Sequence, residues 1–271
     1  MRRITYAFLA TLIAAAGIAS AQQGELANPL IPAKSKPRIY VGPVGGYNKA
    51  LHSSGFQSVA GDVLCPDFES GTENGYYGGL SVEYLLGSPK DSKSSIIGRV
   101  VYNYLPAAYT VPGDKLPSID PANGEVVESE VQHTARIEYS LLDIEVVYKL
   151  NLFESNFGIV VGPTVGIPMG TTLEQRMELV APLNATFDPT LVPGATYIND
   201  GRAIITRAAG AIDDETAVRV AVKAGVQYEI PIGRAVLVPC AYYNFGVTKL
   251  SATNNLRVNA LQVGVDLRFA F

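Results

Sequence analysis

The sequence predicts an all-β fold: an eight-stranded antiparallel transmembrane β-barrel with short turns at one end and long loops at the other. Three observations predict it. The closing stretch Leu261–Phe271 puts Leu261, Val263, Val265, Leu267, Phe269 and Phe271 on one face. Gln262, Gly264, Asp266, Arg268 and Ala270 fall on the other, the period-2 signature of a strand. Seven further segments share this pattern, many near the nine to eleven residues that cross a bilayer at a tilt. The connections between them alternate short and long, the rhythm of membrane barrels.

The first strand is read at about Arg38–Asn48. The second, Tyr76–Leu86, sets Leu80, Val82, Tyr84 and Leu86 against Ser81 and Glu83. The third, Ile96–Leu105, sets Val100, Tyr102 and Tyr104 against Arg99 and Asn103. The fourth, Ala135–Leu150, sets Leu142, Ile144, Val146 and Tyr148 against Asp143, Glu145 and Lys149. The fifth, Phe157–Ile167, alternates apolar residues with Gly158, Gly162, Thr164 and Gly166. The sixth, Val218–Ile230, opposes its valines to Arg219, Lys223, Gln227 and Glu229. The seventh is Ala235–Val247 and the eighth Val258–Phe271. Proline cannot donate to a ladder, so Pro43, Pro163 and Pro239 predict bulges or the edge of the membrane. Val41-Gly-Pro-Val-Gly-Gly46 and Val161-Gly-Pro-Thr-Val-Gly166 form a faint repeat half a barrel apart, within what chance produces in a glycine-rich chain.

Short connections follow strands two, four and six: Gly87–Ser95, Asn151–Asn156 and Pro231–Arg234. Long ones follow strands one, three and five: Lys49–Gly75, Pro106–Thr134 and Pro168–Ala217. An even strand count returns both termini to the short-turn side. Short periplasmic turns and long external loops characterise outer-membrane barrels.

The ends of the 271-residue chain fit export. Residues 1–21 read as a Sec signal peptide, with Arg2 and Arg3 ahead of an apolar run and Ala19-Ser-Ala21 as cleavage site. No cysteine follows the site, so no lipid anchor is expected. Residues 22–37, with Pro29, Pro32 and Pro37, read as a flexible periplasmic lead-in, and 38–271 as the barrel domain. The expected location is the outer membrane, with its lipids as partners. A net charge of −4 with no basic patch argues against nucleic acid.

The apolar faces are nearly free of charge. The opposite faces carry Glu83, Asp143, Glu145, Glu229 and Asp266 against Arg99, Lys149, Arg219, Lys223 and Arg268. An eight-stranded barrel is just wide enough for side chains to fill, and charges buried there must pair. These ten residues are therefore expected to plug the lumen, giving a structural or interaction protein that works through its external loops. The alternative is a small outer-membrane pore or transporter. Tyr76, Tyr77, Tyr102, Tyr104, Tyr148 and Tyr228 suit interfacial aromatic girdles.

Other constellations are weak. His52 and His133 fall in predicted loops, without metal-ligand spacing, and read as solvated. Cys65 and Cys240 are predicted at different heights, against a disulfide. His133 and Ser140 fall on opposite faces, and no nucleophile, phosphate loop or zinc motif appears, so neither an enzyme, a cofactor nor a metal is expected. Asn184-Ala-Thr186 matches a glycosylation sequon that means little in bacteria. The loop 168–217 is the best candidate for a protein or surface partner. In it, Thr171-Thr-Leu-Glu174 resembles a capping box before Leu173, Met177 and Val180 at helical spacing. Asp213-Asp-Glu215 reads as a solvated acidic cluster.

Four features give this chain a resemblance to the outer-membrane barrels of the Bacteroidetes–Chlorobi kind, the OmpA-like and PorT-like barrel families. They are Leu142-Asp-Ile-Glu-Val-Val-Tyr-Lys149 before a short turn, the passage from Cys65-Pro-Asp-Phe68 to Gly78-Gly79, the eight-strand rhythm and the terminal Phe271. The resemblance covers about Arg38–Phe271. It implies that Phe271 is a recognition signal for the barrel-assembly machinery, a further expected partner. No peptidoglycan-binding domain follows the barrel, so wall anchoring is not implied.

Overall fold

The alternation marking eight segments becomes a closed ring of eight strands, each longer or bounded differently from its sequence estimate. The computed structural model describes residues 38–57, 66–86, 92–152, 155–188 and 196–271. The predicted signal peptide and lead-in, Cys65 and parts of the connections at 87–95 and 151–156 lie outside the described residues. Twelve strands follow in order: β1 (Ile39–Gln57), β2 (Asp67–Leu86), β3 (Ser94–Tyr104), β4 (Ala107–Ile119), β5 (Val126–Asn151), β6 (Phe157–Ala181), β7 (Thr196–Ile198), β8 (Ala203–Gly210), β9 (Arg219–Tyr228), β10 (Ile230–Ile232), β11 (Ala235–Gly246) and β12 (Arg257–Ala270).

All pairings are antiparallel. The ring runs β1–β2–β3–β5–β6–β9–β11–β12 and closes where β12 pairs with β1 from Tyr40↔Ala270 to Ser53↔Arg257. Closure removes the free edges of an open sheet. Both ends of the ring's chain, Ile39 and Ala270, lie at one end, here called the lower end. The hairpin between β10 and β11 also turns there, through Gly233 at a φ of 61°, a left-handed conformation that glycine adopts without steric cost.

The three long loops of the sequence reading are corrected: strands occupy much of each. β1 and β2 run on past Asn48 and before Tyr76, pairing as far as Gln57↔Asp67. β4 resumes after β3 and pairs with β5 up to Ile119↔Val126. β6 continues to Ala181 and takes β8, which takes β7. The predicted capping box Thr171–Glu174 is strand, not helix. A spacing of four fits both periods, and the inward run Thr171, Leu173, Gln175, Met177 and Leu179 shows that period 2 holds. The upper wall is thus tall on the β4–β5–β6–β8 side and low over β9, β11 and β12.

The expected bulges at the three prolines are also corrected. Pro43, Pro163 and Pro239 keep the register, pairing with Leu80, Val222 and Val265. Pairing between β1 and β12 omits Gly42 and Pro43 and resumes in the same register at Val44↔Asp266, so the missing donor costs two local pairs rather than a slip. The register shifts lie higher up, at Ser53/Phe56, Pro112/Lys115, Glu130/Val131, Ser140/Leu141 and near Gln175.

Candidate functional site

The barrel has two zones with opposite polarity, and β5 shows both. In its lower half Ile144, Val146, Tyr148 and Leu150 stand exposed on the outer face, below half-buried Leu142. Asp143, Glu145, Val147 and Lys149 are buried inside. In its upper half the outer face becomes Glu130, Gln132, Thr134, Arg136, Glu138 and Ser140, and the inside becomes Val131, His133, Ala135, Ile137, Tyr139 and Leu141. The outer apolar run from Leu142 to Leu150 spans ~27 Å of strand, or ~21 Å of height at a usual barrel tilt.

The same band recurs around the ring. On β12 it runs from Leu261 to Phe269, on β2 from Tyr76 to Tyr84, and on β1 from Tyr47 down to Ile39. Aromatic rings mark its borders. Tyr76 lies 6.3 Å from Tyr102 and 5.4 Å from Tyr104 between ring centres at the upper border. Tyr84, Tyr148, Phe157, Tyr228 and Phe269 are exposed toward the lower one. Tyr77 corrects the girdle expectation. As the chain neighbour of outward Tyr76 it must face inward, where it is buried with its hydroxyl 3.8 Å from Cys240 Sγ.

Behind the band lie the charged side chains. Nine of the ten are buried: Glu83, Arg99, Asp143, Glu145, Lys149, Arg219, Lys223, Asp266 and Arg268. The tenth, Glu229, keeps partial access at the lower mouth. Arg268 pairs with Glu83, and its Nε and Nη2 donate to Asp266 at 2.9 and 2.8 Å. Lys149 pairs with both Glu83 and Glu229. Arg99 reaches Asp266 at 3.3 Å and Glu145 at 3.6 Å, and Glu145 also holds Lys223. Arg219 stands 4.0 Å from Asp143 and donates to the Val258 carbonyl at 2.9 Å.

Neutral groups tie the network together. Ser81 donates to Asp266 at 2.6 Å, and Asn103 to Asp143 at 2.7 Å. Tyr242 accepts from Arg99 at 2.9 Å, with the Arg99 and Lys223 cations 5.1 and 5.5 Å from its ring centre. The sequence reading did not use Tyr242, although its neighbour Tyr243 alternates with Phe245 and Val247 on the outer face and so leaves Tyr242 facing inward. Five acids and five bases share the space, so opposite charges balance, while Nε and Nη1 of Arg219 and Oδ1 of Asp143 are buried without a hydrogen-bond partner among the described residues.

Above the charges the interior turns apolar. Phe56, Phe68, Leu105, Tyr109, Ile137, Tyr139, Leu141, Leu173, Ile212, Leu250, Leu256 and Val258 belong to one buried cluster. Phe56, Phe68 and Tyr109 stack with ring centres 5.1 to 5.7 Å apart. A second cluster around Val131, Met177, Leu179, Phe187 and Ile204 fills the tall side higher up.

Both histidines are here, which corrects the solvated-loop expectation. His52 and His133 are buried on inward positions of β1 and β5. His52 lies five residues above Tyr47, clear of the apolar band. Its Nε2 donates to the Leu105 carbonyl at 3.1 Å, and burial holds its pKa down at about 3.

The remaining features fall as follows. Cys240 is buried with a free thiol. The acidic run is partnered rather than simply solvated: Asp213 meets Arg207 at 3.1 Å, Asp214 meets Thr253, and Glu215 meets Thr171. Phe271 is 80% exposed at the lower rim, its amide bonded to the Ile39 carbonyl at 3.0 Å.

No protein-family model matches the chain, and no curated protein does. Among solved structures, Neisserial surface protein A aligns at 13% identity and a TM-score of 0.31, over 88% of this chain and 100% of that one. OprG from Pseudomonas aeruginosa aligns at 12% and 0.34, over 88% and 98%. The outer membrane protease OmpT from Escherichia coli aligns at 10% and 0.31, over 89% and 99%. Likenesses this distant carry no activity to this chain, whose fold rests on its own pairings. The presence of a protease among them does correct one expectation. The sequence reading excluded an enzyme for want of a catalytic cluster, and a similar outline accommodates one, so that exclusion is withdrawn.

Proposed function

We propose that the chain is an outer-membrane β-barrel whose lumen is closed by its charge network, acting in a structural or interaction role through the tall wall above the membrane. The polarity inversion along β5 carries this reading. A water-soluble barrel has no cause to expose Ile144, Val146 and Tyr148 while burying Asp143, Glu145 and Lys149. A bilayer around the lower zone and water around the upper one account for both halves. The export-type N-terminus supports the location. The exposed Phe271 at the lower rim supports its role as a recognition signal for the barrel-assembly machinery. The extension of β4 to β8, which takes in 168–181, 196–198 and 203–210 of the region 168–217, supports a protein or surface partner on that side.

The experiment joins two readouts. Heat-modifiable gel mobility of chain recovered with outer membranes tests the membrane barrel. Planar-bilayer recording tests the closed lumen. The reading expects a folded, slowly denaturing band and no steady conductance. Reproducible openings would reject the plug in favour of a small pore, and recovery as a soluble species would reject the barrel's place in a membrane.

A further inference from the structure

The outer wall just above the apolar band is charged unevenly. On the β4–β5–β6 side cations are neutralised. Arg136 pairs with Glu73 at 3.4 Å and Glu138 at 3.8 Å, Lys115 with Glu128 at 3.6 Å, and Arg176 with Glu174. Glu130 and Glu178 add negative charge to the same outer face.

On the low side three cations stand differently. Lys249 between β11 and β12, and nearer the band Lys49 on β1 and Arg257 on β12, have no acidic partner within 4.0 Å among the described residues. The last two carry the site. They stand on either side of one seam, offset by four residues or ~13 Å along it, with Lys49 paired with Leu261 and Ser53 with Arg257. Lys49 is two residues past Tyr47, so ~7 Å above the band's aromatic border. Arg257 reaches back down, its guanidinium carbon 5.9 Å from the centre of the Phe245 ring. This is the posture of a cation at a membrane interface, with its stem and one face against apolar surface and its N–H edge free. Below both cations lie exposed Leu261, Val263, Tyr243 and Phe245.

We infer that the β11–β12–β1 face binds the phosphate of an anionic membrane lipid, in the leaflet at the upper rim. The inference rests on the membrane-barrel reading. Guanidinium and ammonium groups are the donors that phosphate takes. The apolar surface beneath them accepts the acyl chains, which a soluble anion does not have. The tall side, where Lys115, Arg136, Arg176 and Arg207 pair with carboxylates and Arg202 is occupied by backbone carbonyls, offers no equivalent.

The test uses the full chain folded in an uncharged detergent, with phosphatidic acid and phosphatidylcholine of equal chain length as probes. Bound lipid is read by native mass spectrometry. The wild type is expected to retain phosphatidic acid over phosphatidylcholine. Lys49→Gln with Arg257→Gln lowers phosphatidic acid affinity roughly ten- to thirtyfold and leaves phosphatidylcholine unchanged. Arg136→Gln, which removes a paired cation from the tall side, changes neither. Equal retention of both lipids, a double variant that keeps phosphatidic acid, or an Arg136→Gln variant that loses as much as the double each overturns the inference. Failure of the membrane reading looks different: the chain then takes up neither lipid and stays in solution when detergent is removed.

Discussion

Leu141 and Leu142 are neighbours in the chain and face different media. Leu141 is fully buried in the upper core, whereas Leu142 heads the outer apolar run that continues through Ile144. On β5 the inward positions stay odd throughout, so the apolar residues change parity at this pair. On β6 the opposite happens: the apolar residues stay odd and the wall inverts. Ser140 pairs with Gly170 but Leu141 with Pro168, leaving Met169 as an extra residue, 63% exposed. One inserted residue turns every later side chain to the other face. Two neighbouring strands thus solve one change of surroundings at one height by different means.

Deleting Met169 tests that bulge. The deletion keeps the lower half of β6 in place and would send Leu173 and Leu179 outward and Glu174 and Glu178 into the core. The expected outcome is a chain that inserts but whose upper wall is cut by protease, with residues above Gly170 lost. A protease-resistant upper wall in the deletion variant contradicts the account.

Glu83 holds two cations, Arg268 and Lys149, inside the band. Glu83→Gln should cost about 3–5 kcal/mol of unfolding free energy, because Arg268 and Lys149 keep only Asp266, which Arg99 shares, and partly solvated Glu229, leaving buried positive charge in excess. Glu229→Gln should cost less, since its carboxylate is partly solvated and Lys149 keeps Glu83. Urea titration of the chain folded into vesicles measures both, and equal costs would show that the buried network is not what holds the lower barrel.

His52 gives the pH dependence its sign. Burial lowers its folded pKa to about 3, against about 6.5 when unfolded. Between those values the unfolded chain binds the proton and the folded one does not, so the stability contribution is whole above pH 6.5 and lost as pH falls toward 3. His52→Gln should flatten that part of the profile in denaturant titrations at stepped pH. A slope unchanged by the substitution means His52 does not titrate on unfolding in this window.

Much of this was legible from alternation alone. The eight ring segments and the inward side of Asp143, Glu145, Asp266 and Arg268 follow from period 2. The upper zone was not, for a physical reason. The sequence reading ended several strands near the end of their outward apolar runs, strand one at Asn48, strand two at Tyr76 and strand five at Ile167. Beyond those points the pattern continues with its polarity exchanged, and Phe56, Phe68 and Leu173 look like loop residues only while lipid is assumed to be the sole apolar partner. His52 and His133 went astray with the same loops. Tyr77 was misplaced because a girdle was assigned by residue type, when a tyrosine doublet on a strand can offer only one ring to each face.

The central claim is that lipid surrounds the lower half of β5 and water the upper half. Two single substitutions on its outer face test this directly, each measured as a folding free energy into bilayer vesicles. Val146→Arg should cost about 2–4 kcal/mol, while Gln132→Arg, on the same face higher up, should stay within about 0.5 kcal/mol. Equal costs at the two positions, or a Val146→Arg variant as stable as the parent, would contradict the account.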